Sequence, residues 1–372
     1  MNEDKATRYH RLGRRARMLS TVWSATILVV LLMSGASVAL REVIADLTGP
    51  DPLTVVSVYV LTVSLLFEMA TFPFSVYQGF MLERRYGLST ESIGRWLADH
   101  AKAILLGLAF AELAAVLVYF ALRQWPEVWW AIAGVGYLIV AVVLVNLGPV
   151  VFLPLFFTFK PLEKDTLRDR LTSLAAKAGT RIMGVYEWTL SDRTKKANAA
   201  LAGMGNTRRI LLSDTLLAEY SDDEIEVILA HELAHHVHKD IWTSVVFDTC
   251  LTFAGFFAAH LALQRGAALF ELNGIADPAG VPVLLLTAGA VGLLVRPLLN
   301  AVSRSHERRA DRYALKMTEN PSAFITAMRR LGEQNLAEDN PSTLVQAFFY
   351  THPPIKERLR AAEAWLLSTP VP

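Results

Sequence analysis

The sequence predicts a mainly α-helical, polytopic membrane protein, with about six transmembrane helices around a polar chamber and a polar α+β segment set between them. Three observations carry this. The 372 residues are 53% hydrophobic and only 19% charged, whereas soluble chains average about 25% charged. Mean hydropathy is +0.34, and the apolar residues gather into runs that reach the roughly 20 residues a helix needs to cross a bilayer. Between the fourth and fifth runs lies a polar stretch, Thr158 to Asp240, with both helical and strand-like signals. An ordinary water-soluble enzyme is excluded by this composition. Nucleic acid is disfavoured as a partner, because net charge is only +1 and Lys and Arg form no basic stripe interleaved with aromatics. Cys250 is the single cysteine, so no intrachain disulfide frames the fold.

Six runs are predicted to span the bilayer: Ser20 to Leu40, Leu53 to Phe80, Ala101 to Leu122, Trp129 to Phe157, Ile241 to Gln264 and Val281 to Val302. The first follows a basic segment containing Lys5, Arg8, Arg11, Arg14, Arg15 and Arg17. Its apolar run exceeds the roughly 7 to 15 residues of a cleavable signal, so it reads as a retained anchor. Basic residues then alternate from loop to loop: Arg41, then Arg84, Arg85, Arg95 and Lys102, then Arg123. The polar segment and the tail are rich in Lys and Arg, and the loop between them holds only Arg265. By the positive-inside rule both termini and the polar segment face the cytoplasm, as an even number of spans requires. Glu68, Glu112, Asp248 and Arg296 fall inside spans, where contact with lipid is costly. A polar cavity among the helices accounts for them, with helix-to-helix ion pairing as the alternative. The expected division is 1–157 for a membrane domain of about four spans, 158–240 for the polar segment, 241–303 for spans five and six, and 304–372 for a C-terminal cytoplasmic segment.

Within the polar segment, Leu167 to Lys177 reads as an amphipathic helix and Arg209 to Leu212 as a short strand. Ser221 and Glu224 have capping-box spacing, which opens a helix expected to run through Lys239. That helix carries His231-Glu232-Leu-Ala-His235. Four-residue spacing puts both imidazoles on one face, one turn apart, where they can share a tetrahedral zinc. Glu232 is placed to act as general base toward a water on the metal. Such a site needs a third protein ligand. Span six returns the chain to the same membrane face, which makes Glu307 the candidate, in Ser303-Arg-Ser-His-Glu307-Arg-Arg-Ala-Asp311. His306 is the alternative. Asp311, four residues beyond Glu307, can accept a hydrogen bond from a ligand imidazole. A plainer reading has Glu307 and Asp311 offsetting Arg304, Arg308, Arg309 and Arg312. His238 would reach the same metal only if the helix bent, and His236 reads as surface.

With these motifs in place, the sequence resembles the type I CAAX prenyl proteases, multi-span zinc metallopeptidases that cut prenylated proteins near their C-termini. The resemblance extends beyond the histidine motif to Thr71-Phe-Pro-Phe-Ser-Val-Tyr77 with Leu82-Glu-Arg-Arg-Tyr-Gly-Leu-Ser-Thr90, and to Pro154-Leu-Phe and Lys160-Pro-Leu162. It continues through Ser303-Arg304, Glu307 and Ala310-Asp311, and through Tyr350-Thr-His-Pro-Pro354 with Glu357-Arg358-Leu359. The resemblance implies a ring of helices around a water-filled chamber, a zincin-like α+β metallopeptidase domain in the cytoplasm, one Zn²⁺ per chain, and Glu307 as the third ligand. It places the family's substrate-backbone asparagine on Asn198, an oxyanion donor on His352, and on Arg358 an arginine that binds substrate or orients the site. In this chain Lys196-Ala197 stands before Asn198, where the family usually has His-Ser.

The function expected from the sequence is that of an integral-membrane zinc endopeptidase. Its partners are the lipid bilayer and a peptide or protein substrate, prenylated if the resemblance extends to specificity. A quality-control protease of the HtpX type would keep the same chemistry. A site-2-type intramembrane protease would bury its motif in an apolar span, whereas here it follows Ser-Asp-Asp-Glu. A non-catalytic zinc-containing scaffold is disfavoured by the intact ligand set and Glu232.

Overall fold

The computed structural model describes residues 4–203 and 208–368, without the side chains of residues 145, 146, 149 and 150. Helix α1 (Lys5–Met33) ends at Ser34, and Gly35, at φ +73°, turns the chain into α2 (Ala36–Thr48). The first predicted span therefore divides between two helices, because only glycine enters the left-handed region without strain. Helix α3 (Pro52–Val76) starts under an Asp51 cap, whose carboxylate accepts from the Thr54 N–H at 2.9 Å. Pro73 removes one helical donor near its end, and the backbone continues through a π turn, Tyr77–Met81, into α4 (Leu82–Arg85). Helices α5 (Ile93–Gln124) and α6 (Trp129–Leu147) follow. Among the described residues, five helical stretches are long and apolar enough to cross a membrane, and α6 contributes a shorter apolar stretch, Trp129–Leu144. The fourth predicted span ends early because the chain leaves α-helix at Gly148 for a π turn and then a 3-10 turn, Leu153–Leu155.

The polar segment holds four described strands where the sequence suggested one. They are β1 (Phe159–Pro161), β2 (Gly184–Trp188), β3 (Ala199–Ala202) and β4 (Arg209–Ser213), in the order β1-β2-β4-β3. The central pair β2 and β4 is parallel, with Val185 opposite Ile210, and the flanking pairs are antiparallel. Parallel pairing requires a long crossover, so β3 folds back onto β4 and becomes the sheet edge, Leu201 opposite Ile210. Helix α7 (Asp165–Lys177) lies where the amphipathic pattern predicted, and a short α8 (Asp214–Glu219) leads to α9 (Asp222–Val237). One apolar core joins these parts: Leu167 and Leu171 from α7, Ile210 and Leu212 from β4, Ile225 and Leu229 from α9, and Phe324 from α12 (Pro321–Gln334).

Helices α10 (Asp240–Leu269) and α11 (Val281–Thr318) form the last membrane hairpin, and α11 continues past the membrane to lie along α9. Helices α13 (Thr343–Phe349) and α14 (Ile355–Ser368) close the chain. The membrane bundle is sealed at the end remote from the sheet. There Val56, Tyr59, Tyr119, Leu122, Trp129 and Leu263 are buried, and Tyr59 shares a 2.6 Å hydrogen bond with Ser37. Toward the sheet the helices part around two cavities of about 860 and 640 Å³, which share Thr21, Gly289 and Leu293. Glu68 lines the larger cavity, and Asp248 and Arg296 line the smaller. Glu68 is also 2.9 Å from His100 Nε2, so a cavity and helix pairing account for it together. Glu112 Oε2 is buried without a hydrogen-bond partner among the described residues.

Candidate active site

Helix α9 fixes the first half of the site. Its capping box is formed: the Glu224 N–H donates to Ser221 Oγ at 3.3 Å, and the Ser221 N–H donates to Glu224 Oε2 at 2.8 Å. With Ile225, Leu229 and Leu233 locked in the core, the rotation of the helix is set, and the rings of His231 and His235 come to 5.0 Å between centroids. Helix α11 brings Glu307 against them. Glu307 Oε2 is 3.2 Å from His231 Nε2, and Oε1 is 3.4 Å from His235 Nε2. One donor atom from each of the three residues lies within 4.8 Å of the others, close enough for all three to reach one ion.

The outer nitrogens decide what the inner ones can do. His231 Nδ1 faces Asp311 Oδ1 at 2.9 Å, and His235 Nδ1 faces Asp240 Oδ2 at 2.9 Å. With a metal ion in the cluster, each imidazole keeps its proton on Nδ1, donated to a carboxylate, and turns an Nε2 lone pair toward the ion beside Glu307. Lone pairs facing a carboxylate repel unless a cation lies among them. Glu307 Oε2 is buried and makes no hydrogen bond among the described residues, so it is the atom a cation would satisfy. Burial lowers the pKa of His231, but Asp311 and Glu307 outweigh it and raise the value to about 9. The cluster thus attracts positive charge, and its two nitrogens and carboxylate suit Zn²⁺. Each carboxylate behind an imidazole is itself held by an arginine. Arg358 grips Asp311 with two bonds, at 2.6 and 2.9 Å, and Arg309 donates to Asp240.

Asp240 and Arg309 were not found from the sequence. Helix α9 stops at Val237, short of the expected Lys239, because Lys239 adopts φ +56° and breaks the helix there, and Asp240 comes to lie against His235. The alternative ligand His306 and the neighbouring histidines His236 and His238 stay outside the donor group. His306 Nε2 is 4.0 Å from Asp240, and His238 Nδ1 donates to the Ala234 carbonyl at 2.8 Å while its ring meets the Tyr313 ring edge-on.

A cleft of about 350 Å³ opens beside the cluster, and its lining includes Asn198, His231, Glu232, His352 and Arg358. Burial raises the pKa of Glu232 above the usual carboxylate range, the direction that suits a base working near neutral pH. His352 Nε2 is 3.5 Å from Glu307 Oε1, with the histidine side chain 60% exposed. Asn198 precedes edge strand β3, where its backbone exchanges two 3.0 Å bonds with Ser213 and its side chain is exposed.

Comparison with known proteins gives a consistent result. Residues 161–366 match the family model "Peptidase family M48", and residues 2–158 match "CAAX prenyl protease N-terminal, five membrane helices". An uncharacterized metalloprotease of Bacillus subtilis, YhfN, is 30% identical over 90% of this chain and 79% of its own length. CAAX prenyl protease 1 of Saccharomyces cerevisiae is 28% identical over 81% and 70%. The crystal structure of S. mikatae Ste24p superposes with a TM-score of 0.83 at 24% identity, covering 96% of this chain and 87% of that one. The chain shares that fold, including its multi-pass membrane bundle.

Proposed function

The chain belongs to peptidase family M48 and is a membrane metalloprotease, and from that premise we propose that it is a zinc endopeptidase cutting near the C-termini of prenylated proteins. The observation that carries the reading is the convergence of two carboxylate-backed imidazoles and Glu307 beside Glu232, in a cleft that Asn198 and Ala199 at the start of β3 also line. His231, His235 and Glu307 hold the metal, with Asp311 and Asp240 setting ring orientation. Zinc, when bound, supplies a Lewis acid that polarises the scissile carbonyl and makes water a nucleophile near neutral pH. Glu232 takes the proton of the attacking water and delivers it to the leaving amine. His352 donates to the oxygen on which negative charge develops. Asn198 and the free edge of β3 hold an extended peptide by strand addition. Arg358, its guanidinium paired with Asp311, keeps that carboxylate charged and His231 oriented. The alternating basic loops support a cytoplasmic position for the site and both termini, and the names of the relatives support a prenylated substrate.

The test is cleavage of matched farnesylated and unprenylated CAAX-type peptides by purified, zinc-quantified protein. The farnesylated peptide should be cut preferentially. Glu232→Gln should retain its zinc and lose at least about 100-fold in kcat, the lower end of what a general base contributes. Equal rates for wild type and variant would sink the mechanism. If neither peptide is cut although about one zinc per chain is bound, the prenyl assignment fails, and misfolded membrane segments become the substrates to try.

A further inference from the structure

The first turns of α1 reach the catalytic cleft. His10 lines it and is 2.8 Å from the Leu336 carbonyl. One turn further, Arg14 Nη1 donates to Glu338 Oε2 at 2.5 Å and to the Tyr350 hydroxyl at 3.2 Å, and that hydroxyl donates to the same Glu338 oxygen at 2.5 Å. The Arg14 and Glu338 side chains are only 16% and 7% exposed, so this is an ordered pair rather than a solvated one. The other end of Tyr350 is also fixed, because its carbonyl accepts from Arg304 Nη1 at 2.8 Å, three residues before Glu307 on α11. Two residues beyond Tyr350 stands His352.

His352 has little of its own to hold it. Among the described residues its hydrogen-bond and ion-pair partners are Thr351 Oγ1, at 2.9 Å, and Glu307. An exposed side chain is only as well placed as its backbone, and a misplacement of about 1 Å can lower a rate by about 100-fold. We infer that Arg14 is a positioning residue for His352, acting through Glu338 and Tyr350, so that the N-terminal membrane helix completes the catalytic site. The inference rests on the oxyanion role proposed for His352.

Full-length, zinc-loaded protein carrying Arg14→Gln, Tyr350→Phe or His352→Ala, and each of the first two combined with His352→Ala, is assayed on whichever CAAX-type peptide wild type cleaves. Arg14→Gln and Tyr350→Phe should each lower kcat by about 10- to 100-fold with KM and zinc content unchanged. Neither should lower kcat further in the His352→Ala background, because the two changes act through the same group. Tyr350→Phe keeps the test available if Arg14→Gln does not insert. Wild-type kcat for Arg14→Gln and Tyr350→Phe, with His352→Ala impaired, overturns the inference alone. Losses that multiply with His352→Ala overturn it as well, in favour of a purely structural contact. Wild-type kcat for His352→Ala overturns both the inference and the oxyanion role beneath it.

Discussion

Each imidazole of the site is backed by an aspartate and each aspartate by an arginine: His231, Asp311 and Arg358 on one side, His235, Asp240 and Arg309 on the other. The aspartates hold the rings in one tautomer, and the arginines keep the aspartates charged. Losing such a partner weakens metal affinity by about 10- to 100-fold. Asp240→Asn should therefore lose zinc to a chelator at correspondingly lower concentration, with activity restored by excess zinc. Unaltered chelator resistance would remove Asp240 from the metal site. Of the first chain, His231 and Asp311 were legible in the sequence, because Asp311 stands four residues beyond Glu307 on a helix that topology returns to the histidines, whereas Arg358 came only from the family resemblance. The second was not legible. Asp240 reaches His235 only through the left-handed break at Lys239, and Arg309 reaches Asp240 only through the rotation of α11, and neither leaves a spacing to read.

That break makes Lys239 the joint between the helix that carries the histidine motif and the apolar α10. Left-handed backbone costs an L-residue roughly 1–2 kcal/mol, and more when the side chain is β-branched. Lys239→Gly should hold or raise the melting temperature in detergent. Lys239→Val should lower it and weaken zinc binding together, since Asp240 moves with the turn. A change in melting temperature with zinc affinity untouched would separate the turn from the site. Helices were the readable elements, since α7 and α9 carry apolar faces and a capping box. Strands β2 and β3 were not. Ala199-Ala-Leu-Ala202 has little strand preference of its own and is a strand because β4 offers it an edge. The edge it presents in turn is the one proposed to receive substrate.

Over the whole molecule, the membrane bundle is tightly packed at one end and hollow toward the catalytic cleft. Thr351, the neighbour of His352, lines the smaller cavity, and Gly289 stands where the two cavities meet, with open space around the position a Cβ would take. A large side chain there extends into the space the two cavities share, from a Cβ position with no neighbour within 4 Å. Gly289→Phe should leave the melting temperature and the cleavage of a short unprenylated peptide unchanged, while reducing kcat/KM for the farnesylated one. Equal effects on both peptides would mean the lipid takes another route. The residues proposed for catalysis are also split by the last membrane hairpin: His231 and Glu232 precede α10, and Glu307, His352 and Arg358 follow the membrane part of α11. A chain emerging from the ribosome carries its histidine motif long before it carries the rest. On the proposed assignment the enzyme is synthesised inert, and becomes able to cut only once insertion of its final hairpin has delivered the second half of the site to the first.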